Sequence, residues 1–65
     1  MRLVVNGQAQ DIEATTLAAA LVALEFEGAT VATALNGEFV PKRVRGSTPV
    51  KDGDRIEIVA PRQGG

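Results

Sequence analysis

The sequence predicts a two-layer α+β domain, a mixed four- to five-stranded sheet with one helix packed on one face. Three observations carry this expectation. Asn6-Gly7 and Asn36-Gly37 each follow a short apolar run and mark hairpins. One segment between them has Leu and Ala at helical spacing. Near the end, Ile56 and Ile58 alternate with charged residues, the pattern of a half-buried strand.

Leu3-Val4-Val5 reads as the first strand. Asn and Gly tolerate the positive φ angles of a type I′ turn, so Asn6-Gly7 reverses the chain into a second strand over residues 8–12. That strand is polar, as suits a sheet edge. Thr15 or Thr16 offers an N-cap hydroxyl for a helix running to about Phe26. Leu17, Ala20, Leu21 and Leu24 form its apolar stripe, and Gly28 is the expected stop. Val31 to Leu35 is the third strand. Val31 and Leu35 argue for one face of it as buried, Ala32 and Ala34 for the other. Glu38-Phe39-Val40 is a short fourth strand ended by Pro41, which has no N–H for a ladder. Residues 42–50 read as a basic, irregular connection, residues 51–54 as a turn, and Arg55 to Val59 as the last strand. The first and last strands, both rich in apolar residues, suit parallel neighbours at the centre of the sheet.

With 65 residues the chain is sized for one domain and has no room for a second lobe. It contains no Cys and no His, which excludes disulfides, thiolate nucleophiles and the commonest general base and metal ligand. Trp and Tyr are also absent and the net charge is −1, so neither base stacking nor a basic field points to nucleic acid. The opening apolar run is too short for a signal peptide or a membrane span. These features predict a cytoplasmic protein that is not an enzyme by itself.

Residues 1–60 are therefore expected to form the domain, with 61–65 a flexible tail ending in Gly-Gly. Extended, five residues beyond Ala60 reach roughly 17 Å. Without Cβ atoms, Gly64 and Gly65 can thread a narrow site on another protein. A carboxylate at Gly65 is a poor electrophile until activated, typically as an acyl-phosphate anhydride made from ATP. A sulfur nucleophile can attack such an anhydride and leave a thiocarboxylate.

The residues carry a resemblance to a known family. The chain resembles the thiamine-biosynthesis sulfur carrier proteins (ThiS-like), bacterial relatives of ubiquitin with the β-grasp fold. The likeness rests on the opening strand into Asn6-Gly7 and the segment Ala34-Leu35-Asn36-Gly37-Glu38-Phe39-Val40-Pro41-Lys42. It rests also on residues 50–58, which contain Asp52-Gly53-Asp54, and on the final Gly64-Gly65. The resemblance implies that an E1-like adenylating enzyme activates Gly65 with ATP and magnesium. A cysteine desulfurase persulfide then supplies sulfur, and thiazole synthase takes it from the thiocarboxylate. Gly65 is then the modified residue and Gly64 its required neighbour, with no cofactor bound by the carrier itself. Pro61-Arg62-Gln63 departs from the small or aliphatic residues many members show there. A molybdopterin-type sulfur carrier and a ubiquitin-like protein modifier share the same terminus and are the alternative readings.

Phe39, Lys42, Arg43 and Arg62 are candidate partner contacts; Arg45 belongs to the same basic cluster. Phe39 and Val40 fit either an exposed docking patch or the core. Asp52 and Asp54 are too few for the six to eight oxygens of a calcium site and read as a turn. Asp11, Glu13, Glu25 and Glu27 read as exposed, so no carboxylate pair is set up for acid–base work. A swinging arm would need Ser47 or Lys51, and neither has the flanking sequence of an acyl or lipoyl carrier.

Overall fold

The last strand in the sequence is the middle strand of the sheet. In the computed structural model, which describes residues 1–61, five strands are ordered β2-β1-β5-β3-β4. They are β1 (Arg2–Val5), β2 (Gln8–Asp11), β3 (Ala32–Leu35), β4 (Glu38–Val40) and β5 (Arg55–Val59). β1 and β5 run parallel, with Val4 opposite Arg55 and Val5 opposite Ile56, and the other pairings are antiparallel. Both Asn-Gly pairs form the expected mirror-image turns: φ is 49° and 84° at Asn6 and Gly7, 51° and 86° at Asn36 and Gly37. All four residues of β2 are exposed, as expected of an edge.

One helix, α1 (Leu17–Ala23), covers one face of the sheet. Its buried residues Leu17, Ala20 and Leu21 meet Leu3 and Val5 of β1 and Ile56 and Ile58 of β5 in a single apolar cluster. Complete burial of a Leu or Ile contributes about 1.5–3 kcal/mol. Thr16 is the N-cap: its backbone is extended and its Oγ1 accepts from the Ala19 N–H at 3.1 Å. The bonds Leu17 N–H to Thr48 C=O and Val50 N–H to Thr15 C=O tie this helix end to the connection before β5.

The helix is shorter than its sequence pattern. It ends at Ala23 rather than near Phe26, and Gly28 is not its stop. Glu25 takes the left-handed conformation, φ 67°. The Phe26 N–H donates to the Leu21 carbonyl and the Glu25 N–H to the Val22 carbonyl. This is the Schellman closure, with Glu25 in the position glycine usually fills. Phe26 is thereby turned back onto the core, where it packs partly buried.

The third strand begins one residue later than its pattern, because the Val31 carbonyl accepts from Arg45 Nη2 at 2.6 Å. Its inward face carries Val31, Thr33 and Leu35; Ala32 is exposed on the other side. The second strand stops at Asp11, leaving Ile12 to turn into the core. Residues 42–50 are not wholly irregular: Lys42–Ser47 form a 3-10 helix beside α1. No helix among the described residues is long and apolar enough to cross a membrane.

An L-residue in the left-handed region costs about 1–2 kcal/mol, and glycine returns roughly half of this as lost chain entropy. Glu25 is exposed, so its side chain holds no packing to lose. Glu25→Gly is expected to raise unfolding stability by about 0.5–1 kcal/mol in urea titration. A lower midpoint would show that the Schellman turn carries no strain.

Candidate functional site

The end of β5 is held from both sides, and this fixes where the tail leaves the body. On one side β3 pairs Ala32 with Val59. On the other, β1 has already ended at Val5, and the Asn6 side chain takes its place. Asn6 Oδ1 accepts from the Ile58 N–H at 2.8 Å, and Nδ2 donates to the Ile58 carbonyl at 3.2 Å. A side-chain amide thus acts as one more strand residue. Ala60 and Pro61 follow, and Pro61 borders a shallow hollow with Thr30, Val31, Ala32 and Val59. Arg62, Gly64 and Gly65 lie outside the described residues, as does all of the expected 61–65 tail beyond Pro61.

The sheet face opposite the helix leads to this point. Phe39 is 68% exposed and Val59 62% exposed. Phe39 lies across from Ala34, Ala34 across from Glu57, and Ala32 across from Val59. The two alanines are too small to screen their neighbours, so Phe39 and Val59 stand above the sheet on a diagonal, two strands across and two residues along, about 12 Å apart. The result is an apolar strip, flanked by the Glu57 carboxylate, that ends at the tail root. Exposed apolar strips with a charged border are a feature of contact surfaces. Val59 was legible as outward from its alternation with Ile56 and Ile58.

The other sequence candidates separate. Phe39 is exposed and Val40 is buried, so that pair splits between surface and core. Lys42 and Arg43 are exposed on the 3-10 helix. Arg45 is not available to a partner: it is buried, donating from Nε to Thr33 Oγ1 at 3.0 Å and from Nη2 to Val31. The cause is Thr33, a polar residue on the inward face of β3, whose hydroxyl donates to the Val40 carbonyl and needs a second partner. Nothing in the spacing of the basic cluster distinguishes Arg45 from its neighbours. Ser47 Oγ donates to the Val44 carbonyl, and Lys51 Nζ lies 3.1 Å from Asp54.

The buried carboxylate of Asp54 sits at the other end of β5. It accepts from the Lys51 N–H at 2.9 Å, Asn36 Nδ2 at 3.1 Å and Lys51 Nζ at 3.1 Å. Burial raises its pKa, but the backbone bond from Lys51 and the donors of Asn36 and Lys51 outweigh this and hold it below the ordinary value of 3.8. A carboxylate so stabilised is a weak base, and five residues of strand, roughly 17 Å, separate it from the tail root. Asp52 Oδ1 accepts from the Arg2 N–H, so both acidic residues of the turn serve the backbone. No group of three or more His, Cys, Asp or Glu that could hold a metal occurs among the described residues.

Among the described residues, one α-helix on a five-stranded mixed sheet with β1 and β5 as parallel neighbours defines a ubiquitin-like β-grasp domain. The ThiS family model matches residues 3–65, and the chain belongs to that family. The crystal structure of the thiamine biosynthesis protein ThiS from Geobacter metallireducens is similar with a TM-score of 0.84 at 33% identity, covering 100% of both chains. A solution NMR structure of a thiamine biosynthesis protein from the same organism gives 0.79 at 32% identity, covering 100% of this chain and 88% of that one. A thiazole synthase of Paramagnetospirillum magneticum is 41% identical over 61 residues, which make up 92% of this chain and 19% of that protein. The chain therefore spans a minor part of that relative's length.

Because the folded pKa of Asp54 is depressed, its stabilising contribution is present above the unfolded value and is lost as pH falls through the folded one. The wild-type urea midpoint is expected to drop as pH falls below the ordinary carboxyl value of 3.8, and Asp54→Asn should be less stable at neutral pH with a shallower acid limb. Parallel acid limbs in the two proteins would remove Asp54 from this role.

Proposed function

We propose that this chain is the sulfur carrier that supplies thiazole formation in thiamine biosynthesis, with a free carboxylate at Gly65 as its working group. The observation that carries the reading is family membership combined with a tail root fixed at the end of the central strand. The absence of Cys and His supports a carrier that depends on other proteins for its chemistry. The stretch of a thiazole synthase that matches 92% of this chain supports thiazole synthase as the acceptor, since one polypeptide there carries a region like this one.

In this reading the Gly65 carboxylate attacks the α-phosphorus of ATP in an E1-like enzyme, with magnesium, releasing pyrophosphate. The terminal sulfur of a persulfide, made by a cysteine desulfurase, attacks the acyl carbon of the adenylate and AMP leaves. Thiol attack on the resulting S–S bond forms a disulfide and frees the thiocarboxylate. Gly64 admits the chain end to each active site. The body acts as the grip: Phe39 and Val59 offer apolar contact beside the tail root, while Lys42, Arg43 and Arg62 supply charge for an acidic rim. ATP and magnesium belong to the partner.

Incubation with the adenylating enzyme, ATP, magnesium and a desulfurase system is expected to replace one oxygen by sulfur at Gly65, read by intact mass. Deletion of Gly65 should abolish loading and leave the circular dichroism spectrum and thermal midpoint unchanged, because among the described residues no core residue lies beyond Ile58. Loading that survives the deletion overturns the assignment. Phe39→Asp is a surface change, expected to alter stability by no more than about 0.5 kcal/mol. It should raise KM for adenylation about tenfold, as loss of an apolar anchor of 1–2 kcal/mol does. An unchanged KM would remove the sheet face from docking.

A further inference from the structure

We propose that Asn36-Gly37 is a self-modification site which the native fold holds closed and whose reaction irreversibly disables the fold. The chemistry is deamidation. The Gly37 main-chain nitrogen attacks Cγ of Asn36, closes a five-membered succinimide and expels the side-chain Nδ2 as ammonia. Water then opens the ring at either carbonyl, leaving Asp or isoaspartate. Water is the only co-reactant. Glycine as the following residue leaves the attacking nitrogen unshielded, since there is no Cβ beside it.

The structure engages both ends of the amide that must react. Oδ1 accepts from the Arg55 N–H at 2.9 Å, and Nδ2, the group that must leave, donates to Asp54 Oδ1 at 3.1 Å. Ring closure requires these bonds to open, so the reaction runs through a locally unfolded state. The consequence depends on what Nδ2 faces. At Asn6, the other Asn-Gly turn, the leaving nitrogen faces the neutral Ile58 carbonyl. At Asn36 it faces a buried carboxylate that is 5% exposed. Deamidation there sets a second carboxylate against Asp54, where an amide donor had stood. Two like charges at hydrogen-bonding distance cannot both stay ionised without cost. Isoaspartate also lengthens the main chain through Cβ and breaks the mirror-image turn. Either product acts on the start of β5, the strand on which the sheet depends.

The test follows modification in mildly alkaline buffer, with and without denaturing urea. Cleavage after Glu27 and Glu38 isolates Asn36, and cleavage after Glu13 isolates Asn6. Deamidation at Asn36 is expected to be at least ~10-fold slower in the folded protein than in urea. Equal rates would overturn the protective role of the fold. The thermal midpoint of Asn36→Asp should fall further than that of Asn6→Asp, and adding Asp54→Asn to Asn36→Asp should recover part of the loss by restoring one amide and one carboxylate. Should Asn36→Asp fail to fold, the double variant decides: regained folding supports charge conflict with Asp54, and no recovery overturns it. None of these readouts depends on sulfur loading.

Discussion

The structure depends on keeping β5 in the centre of the sheet, and two side-chain amides reinforce the backbone pairing that holds it there. The parallel register with β1 is short, Val4 opposite Arg55 and Val5 opposite Ile56. Asn6 continues it by bonding both backbone groups of Ile58. Asn36 performs the matching task at the other end, donating its own N–H to the Arg55 carbonyl while Oδ1 accepts from the Arg55 N–H. Each residue thus reverses the chain in one hairpin and binds the last strand. Parallel neighbours cannot be joined by a tight turn, so the β1–β5 pairing must close almost the whole chain. Extra bonds at both ends of β5 offset part of that entropy.

This arrangement gives the molecule two faces with different tasks. Inside, Leu3, Val5, Ile56 and Ile58 lie under Leu17, Ala20 and Leu21. Outside, the same strands turn Val59 and Glu57 toward solvent, and β4 adds Phe39. Val59 immediately precedes the tail root, so the apolar strip ends where Ala60 and Pro61 leave the sheet. The basic segment divides in the same way. Arg45 completes the Thr33 hydrogen bonds beneath β3, whereas Lys42 and Arg43 remain in solvent. A buried guanidinium with carbonyl and hydroxyl acceptors rigidifies the body. It contributes nothing to the charge a partner can read.

What the sequence determined by itself was whatever short-range sterics and periodicity decide. Asn-Gly at two places specified the hairpins, because few other pairs accept two positive φ angles. The Leu and Ala spacing located the helix, the largely polar run of residues 8–12 located an edge, and the alternation of residues 55–59 oriented the last strand. The two glycines suggested a chain end able to thread a narrow site, and the family likeness supplied the particular enzymes that would act on it. Tertiary structure decided the rest. The helix stops early because Phe26 is drawn back onto the core, with Glu25 forced left-handed, although residues 24–27 continue the helical composition. Val31, Thr33 and Leu35 face inward because Thr33 finds an acceptor in Val40 and a donor in Arg45. The amides of Asn6 and Asn36 bond β5 across 52 and 19 residues. Buried polar groups must be paired, and their partners are brought together by the fold from positions whose spacing along the chain carries no trace of the contact.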